Sequence, residues 1–371
     1  MTSPRAVARI DLGAIRHNAG RLVRAAGGAR LMAIVKADGY GHGAAPVARA
    51  ALEGGAHALG VAAVTEAEAL RTAGIGAPVL VMGPLAGDEW TRAVSAGAEV
   101  AVWTPGGVAR AAAAAGAGRA RVHLKLDTGM GRLGARPEDV AALADAAQAA
   151  DRVEVAGLMT HFATADETEG ENAAFMGEQL LRFRAAAAGL RTRFPGAALH
   201  AANSAATFRE PAAAFDMVRC GIALYGCSPF GADPADLDLR PAMSLVSYLA
   251  ATKTVLSRES VGYGRAWRAA RGTRVAVVPV GYADGYARAL SGRAEVLASG
   301  RRVPVVGTIS MDQLTVDLGP GGEDPVGEEV VLLGVQGTER ITAEELAALR
   351  GTINYEVICA VGARVPRVHE G

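Results

Sequence analysis

Between residues 30 and 227, eight short apolar runs alternate with alanine-rich stretches long enough for helices, and this alternation restricts the fold more than any other feature of the chain. The runs are LMAIV (31–35), ALGVAAV (58–64), PVLVMG (78–83), AEVAVW (98–103), VHLKL (122–126), VAGLMTHF (155–162), ALHAAN (198–203) and MVRCGIALY (217–225). Strands that read as continuous apolar runs, with helices between them, belong to parallel sheets covered on both faces. Eight such units fit a TIM-like (β/α)8 barrel, which takes about 250 residues, better than an open doubly wound sheet; the period alone allows both.

After Arg240 the texture changes. Segments such as TRVAVVPVGYADGY (273–286) and AEVLASGRRVPVVGTISMDQLTVDL (294–318) are valine-rich and punctuated by glycine and proline, which predicts a mainly β-strand second domain. The turn-rich segment SPFGADPADLDLRP (228–241) marks the boundary, so the expected domains are residues 1–235 and 236–371. A strand near 7–12 lies outside the eight runs and is a candidate for the C-terminal sheet.

Charge excludes some functions. The 38 basic and 38 acidic residues cancel, leaving no footprint for nucleic acid or an anionic membrane. No apolar stretch approaches the roughly 18 residues of a membrane span and no secretory leader is visible, so a cytoplasmic address is expected. Three cysteines, Cys220, Cys227 and Cys359, have no metal-ligand spacing and read as reduced, packed thiols. No metal site is expected.

Of the 38 basic residues only three are lysines, Lys36, Lys125 and Lys253. Arginine serves a solvated surface equally well, but only a lysine amine can lose its proton and act as nucleophile or base. Lys253, in ATKTVL, reads as an exposed strand position. Lys36 ends the first apolar run and is followed at once by the turn residues Asp38, Gly39, Gly41 and Gly43.

In a barrel the active site forms at the C-terminal ends of the strands. There the sequence places Lys36 and Tyr40, Lys125 and Arg132, His161, then His200, Asn203 and Ser204, and finally Arg219. Each histidine or arginine alone could be a satisfied core group. Together they converge on one mouth, where so many cationic groups are expensive to bury without a ligand. The turn at Gly221 and Ile222, with the Ser204 hydroxyl, suggests a phosphate site after strands seven and eight. A phosphate beside a nucleophilic lysine points to pyridoxal 5'-phosphate, whose aldehyde condenses with an amine.

The motifs AIVKADGYGHG, HLKLDTGMGRLG, GLMTHFATADE, HAANSAA, VRCGIALYG, VGYGRAW, PVGYADGY, ISMDQLTVD and TINYEV resemble, in order and over nearly the whole chain, those of the bacterial alanine racemases. The resemblance implies L-alanine/D-alanine interconversion on pyridoxal phosphate, supplying D-alanine to the cell wall. It also implies a homodimer in which each active site is completed by the other subunit's second domain. By motif, Lys36 resembles the cofactor-linked base and Tyr263 the opposing base; His200 resembles the residue orienting Tyr263. Arg219 resembles the donor to the pyridine nitrogen, linked onward to His161. Arg132 and the Met311 N–H resemble the substrate carboxylate donors. Tyr40, Tyr355, Ser204, Gly221 and Ile222 resemble the phosphate ligands, and Asn203 is placed beside them. Lys125 resembles a lysine that many members carry as a carbamate, and Asp312 and Tyr282 resemble supporting residues. Arg288, Asp166 and Ile353 match entrance positions. Thr308 and Ser310 depart from the arginine and cysteine common in GTISMDQ, which leaves serine or broad-specificity racemisation open. A non-catalytic carrier of the cofactor would not need Tyr263 on a second domain, and a decarboxylase would place an acid where Arg219 stands.

Overall fold

The computed structural model describes residues 4–371. The chain divides into two compact units: residues 15–39 with 44–224, and the chain up to Ala14 with residues 40–43 and 225–371.

After a first strand, β1 (Val7–Asp11), the first of these units carries β2 (Arg30–Ile34), β3 (Ala58–Val61), β4 (Val79–Val81), β5 (Glu99–Val102), β6 (Ala120–Lys125), β7 (Val153–Met159), β8 (Ala198–His200) and β9 (Met217–Cys220). Each pairs in parallel with its sequence neighbour from β2 to β8, and β9 returns to pair with β2. Between β8 and β9 the Asp216 N–H donates to the Leu199 carbonyl at 3.0 Å and the Arg219 N–H to the Ala202 carbonyl at 2.9 Å, so the sheet nearly closes on itself. The result is an eight-stranded parallel barrel. Every residue of β3 and β4 is buried, which is why these strands carry no polar alternation.

The alanine-rich stretches are the covering helices. Helix Pro105–Ala114 shows the local logic: Thr104 caps it by accepting the Gly107 N–H, Pro105 opens it, and Val108 and Ala111 face inward. The long helix Gly170–Arg193 buries Met176, Leu180, Phe183, Ala187 and Leu190, one stripe at helical spacing.

The second unit is built on β10 (Met243–Tyr248), β11 (Ala251–Val255), β12 (Ser260–Val261), β13 (Trp267–Arg268), β14 (Thr273–Val278), β15 (Glu295–Ala298), β16 (Arg301–Val306), β17 (Leu314–Gly319), β18 (Glu329–Gln336), β19 (Glu339–Ile341) and β20 (Arg367–Glu370). Its main sheet runs β11-β14-β17-β16-β15-β18-β10-β1-β20. β1 lies inside that order, antiparallel to β10 and parallel to β20. β17 alternates buried and half-buried residues, the period of a strand with one face on a core. The division between the units falls at Tyr225, three residues before the turn-rich segment that reads as the linker. The reason is packing: the fully buried Tyr225 ring stacks on Tyr40 and lies against His42, both at 4.7 Å. Among the described residues no helix is long and apolar enough to cross a membrane.

Candidate active site

Lys36 follows β2 and opens a turn of unusual backbone. Ala37, Asp38, Gly39 and Tyr40 all have φ between +51° and +61°, a left-handed turn that only glycine adopts without strain. Three contacts hold it. The Gly39 N–H donates to the Val35 carbonyl at 2.9 Å, the Asp38 carboxylate accepts the Ala44 N–H at 2.8 Å, and the Glu66 carboxylate accepts the Ala37 N–H at 2.6 Å.

Arg219, on β9, is buried and meets no carboxylate among the described residues. Its guanidinium donates to the carbonyls of Thr160 (2.6 Å), His200 (2.8 Å) and Ala201 (3.1 Å) and to the Nδ1 atoms of His161 and His200, each at 3.2 Å. Burial lowers its pKa to about 10. Behind it runs a chain that strand-end reasoning misses: His200 Nε2 meets His123 Nδ1 at 2.7 Å, and His123 Nε2 meets a Glu99 carboxylate oxygen at 2.6 Å. Arginine can only donate and a carboxylate can only accept, so the protons point one way, Arg219 to His200 to His123 to Glu99, with both imidazoles neutral. Burial first, with the Arg219 charge acting in the same sense, holds the His200 pKa well below the usual imidazole range.

This geometry changes the reading of two histidines. His200 is fully buried with both ring nitrogens engaged, so it has none to orient a phenol. His161 is half-buried and hydrogen-bonded at Nδ1 alone. Burial first, then Arg219, Arg132, Lys125 and Lys36, lower its pKa to about 3. It is neutral near pH 7.

The end of β6 supplies Lys125, only 5% exposed. Burial, with the charges of Arg219, Arg132 and Lys36, lowers its pKa to about 8, while Asp127 acts in the opposite sense. The glycine-rich loop that follows is folded around Asp127, whose carboxylate accepts the Gly129 N–H at 2.9 Å and the Gly131 N–H at 3.1 Å. At Gly134 a Cβ would stand 2.5 Å from the Asp127 nitrogen, so only glycine permits the return of the loop that carries Arg132.

At the expected phosphate cradle the backbone is arranged differently from the sequence reading. Ser204 and Gly221 come together, but the Gly221 N–H is not free: it donates to the Ser204 hydroxyl oxygen at 3.0 Å, as the Ala223 N–H does at 3.4 Å. With its oxygen accepting twice, the Ser204 hydroxyl can serve any further group only as a donor. Asn203 uses its side-chain oxygen to cap the helix Ser204–Arg209 through the Ala206 N–H. Ile222 is fully buried beside them.

Most of the other sequence-predicted residues lie in the β unit. Tyr40 lies 6.2 Å from Tyr355, ring to ring, which brings two of the expected phosphate ligands together. His42, which reads as a plain turn residue, is fully buried, its Nδ1 3.0 Å from the Tyr40 carbonyl. Tyr263 sits on a short turn between β12 and β13 and is 74% exposed. The Thr308 hydroxyl donates to the Tyr263 carbonyl at 3.0 Å, so the residue that departs from the family pattern supports this turn. Nearby backbone joins Tyr282 to Ser310 and Ala283 to Met311. Met311 is exposed; Asp312 pairs with Arg364 at 2.8 Å. Arg288 opens a short helical turn and Asp166 is exposed on the loop after β7, neither with a charge-pairing partner among the described residues, and Ile353 is exposed.

Known proteins align with the chain along its whole length. The profile of the alanine racemase N-terminal domain matches residues 10–229, and that of the alanine racemase C-terminal domain residues 242–369. The alanine racemase of Symbiobacterium thermophilum is 46% identical over 367 residues, covering 98% of this chain and 97% of the relative. That of Frankia casuarinae is 46% identical over 378 residues, covering 98% and 96%. The crystal structure of alanine racemase from D-cycloserine-producing Streptomyces lavendulae superposes with a TM-score of 0.94 at 42% identity, covering 100% of this chain and 98% of that one. The alanine racemase structure from Streptomyces coelicolor gives 0.93 at 43%, covering 98% of each.

Proposed function

The chain belongs to the alanine racemase family, a family of isomerases, and from that premise we propose that it interconverts L- and D-alanine with pyridoxal phosphate held at Lys36. The observation that carries the proposal is the set of cations at the barrel strand ends. Lys36, Arg132 and Arg219 act on Lys125, and all four cations act on His161, while Asp127 acts on Lys125 in the opposite sense. A site of that charge suits an anionic cofactor and a substrate carboxylate.

The donor set fits the cofactor. Lys36 offers the amine, the Ser204 hydroxyl a donor to phosphate beside Gly221 and Ile222, and Arg219 a buried cation to the ring nitrogen. We assign Tyr40 and Tyr355 to the phosphate as well, and Asn203 to shaping the cradle through its helix cap. Pyridoxal phosphate, when bound, supplies an electrophilic carbon for Lys36 and a ring that accepts the electron pair left when the substrate loses its α-proton.

The protein's part is to hold and move protons. Racemisation needs one acid/base group on each face of a planar substrate carbon, so that a proton taken from one side returns to the other. We assign the Lys36 amine to one face and Tyr263 of the partner subunit to the other. His161 is the imidazole with a nitrogen left for that phenol, and it replaces His200 in this role. His200 instead holds Arg219. Arg219 does not give up its proton at working pH, so it withholds protonation from the ring nitrogen and limits side reactions such as transamination. Arg132 and the Met311 N–H take the substrate carboxylate, and Lys125, as a carbamate, fixes Arg132. Asp312 and Tyr282 brace the Met311 loop. A homodimer, a cytoplasmic address and supply of D-alanine to peptidoglycan complete the proposal.

The test is polarimetry of purified protein with L-alanine and with L-serine, together with a visible cofactor absorption band that borohydride erases. Loss of rotation with L-alanine is expected. A band without loss of rotation supports the carrier reading instead.

A further inference from the structure

We infer that Glu66 is a positioning residue for Lys36, a strap that holds the strained turn beneath the cofactor-binding amine; the inference rests on the reading of Lys36 given above. Glu66 lies in the helix after β3, outside every motif that carries the resemblance. Its two carboxylate oxygens serve two different elements. Oε1 accepts the N–H of Ala37, the residue next to Lys36, at 2.6 Å. Oε2 accepts the N–H groups of Ala62 and Ala63 at 2.8 and 3.0 Å, capping the start of its own helix.

A helix cap would need only the second oxygen. The first reaches across to a turn in which Ala37, Asp38 and Tyr40, none of them glycine, stand at φ of +52°, +51° and +52°. Each such residue is disfavoured by about 1–2 kcal/mol, so the turn persists only where outside contacts over-determine it. Two carboxylates provide those contacts, Asp38 on the Ala44 N–H and Glu66 on the Ala37 N–H. The Ala37 N–H belongs to the peptide that carries the Lys36 carbonyl, so fixing it fixes the Lys36 backbone and the direction in which the amine leaves the strand. Charge-assisted bonds to a backbone N–H are the stronger kind, and misplacement of a reacting group by about 1 Å costs about 100-fold in rate.

The experiment compares Glu66→Ala and Glu66→Gln with Glu68→Ala. Glu68 is on the same helix and pairs with Arg92, away from the turn, so its removal controls for loss of helix stability. In the cofactor-free full chain, hydrogen exchange of residues 36–40 is expected to quicken at least about tenfold in Glu66→Ala and to stay unchanged in Glu68→Ala. Capture of pyridoxal phosphate, in which the Lys36 amine condenses with the aldehyde and one water leaves, is expected to weaken at least about tenfold in Glu66→Ala. Glu66→Gln removes the charge but keeps one accepting oxygen, so it is expected to show smaller losses of the same sign, and it keeps the test sound should Glu66→Ala not fold. Exchange unchanged at 36–40, or capture as tight as in Glu68→Ala, overturns the strap. A wild-type chain that captures no cofactor sinks the assignment of Lys36 instead, and the exchange measurement still decides whether Glu66 holds the turn.

Discussion

Replacing Glu99 by glutamine removes the anion at the far end of the Arg219–His200–His123 chain while keeping its shape. Burial raises the Glu99 pKa, yet the hydrogen bond from His123 and then the bond and charge of Arg121 overcome it and bring the carboxyl down to about 2 from 4.5. Each pKa unit is about 1.4 kcal/mol, so ionised Glu99 contributes about 3 kcal/mol to the folded state near neutral pH. The Glu99 side chain is 12% exposed, so solvent screening trims this little, whereas Arg121 at 50% exposure adds little and the His123 bond dominates. The sign follows from the depressed pKa: the contribution is complete above 4.5 and is lost as pH falls toward 2. The assay is urea unfolding of wild type and Glu99→Gln at a series of pH values. The variant is expected to be about 3 kcal/mol less stable at pH 7, roughly half that at pH 3, and equal to wild type below pH 2. A deficit under about 1 kcal/mol at pH 7, or one that does not shrink on acidification, refutes the proton ordering of the chain.

Other perturbations reach the same site. Lys125, with its pKa near 8, is expected to bind carbon dioxide: a carbamate carbon resonance after 13C-bicarbonate labelling, absent in Lys125→Met. Without carbon dioxide, stability is expected to rise between about pH 8 and 10.5, because the unfolded chain still binds a proton that the native amine has released, and Lys125→Met removes that slope. Arg219→Glu puts a proton donor at the ring nitrogen and is expected to raise half-transamination per turnover about tenfold or more, measured by loss of cofactor absorbance during turnover. Thr308→Ala loses the hydroxyl bond to the Tyr263 carbonyl, worth about 1 kcal/mol, and is expected to lower kcat by about two- to tenfold in steady-state racemisation.

The eight barrel strands are legible because parallel strands bury both faces, so each appears as a mostly apolar run whose observed ends lie within a few residues of the run. Lys253 reads correctly as exposed for the opposite reason, since β11 is an edge strand exposed over most of its length. Lysine scarcity singles out Lys36 and Lys125, and the strand-end rule collects His161, Ser204 and Arg219. That rule cannot reach Glu99 or His123, which lie at the start and the middle of their strands and act through other side chains. Glu66 is hidden for a related reason. A carboxylate in the first turn of a helix reads as an ordinary cap, and only coordinates reveal that its second oxygen serves another strand's turn. The proposed roles of His161 and His200 differ from the sequence reading because sequence shows which imidazoles stand near Arg219 but not how many nitrogens each has left.

Mixed dimers probe the two-base proposal most directly. Lys36→Ala and Tyr263→Ala chains, each inactive alone, are unfolded together, refolded at equal ratio and assayed for L-alanine racemisation. If the two bases of one site come from different subunits, half the dimers are mixed and each carries one intact site, so about a quarter of wild-type activity returns. If both bases come from one chain, no dimer has an intact site, and a mixture as inactive as its components contradicts the proposal.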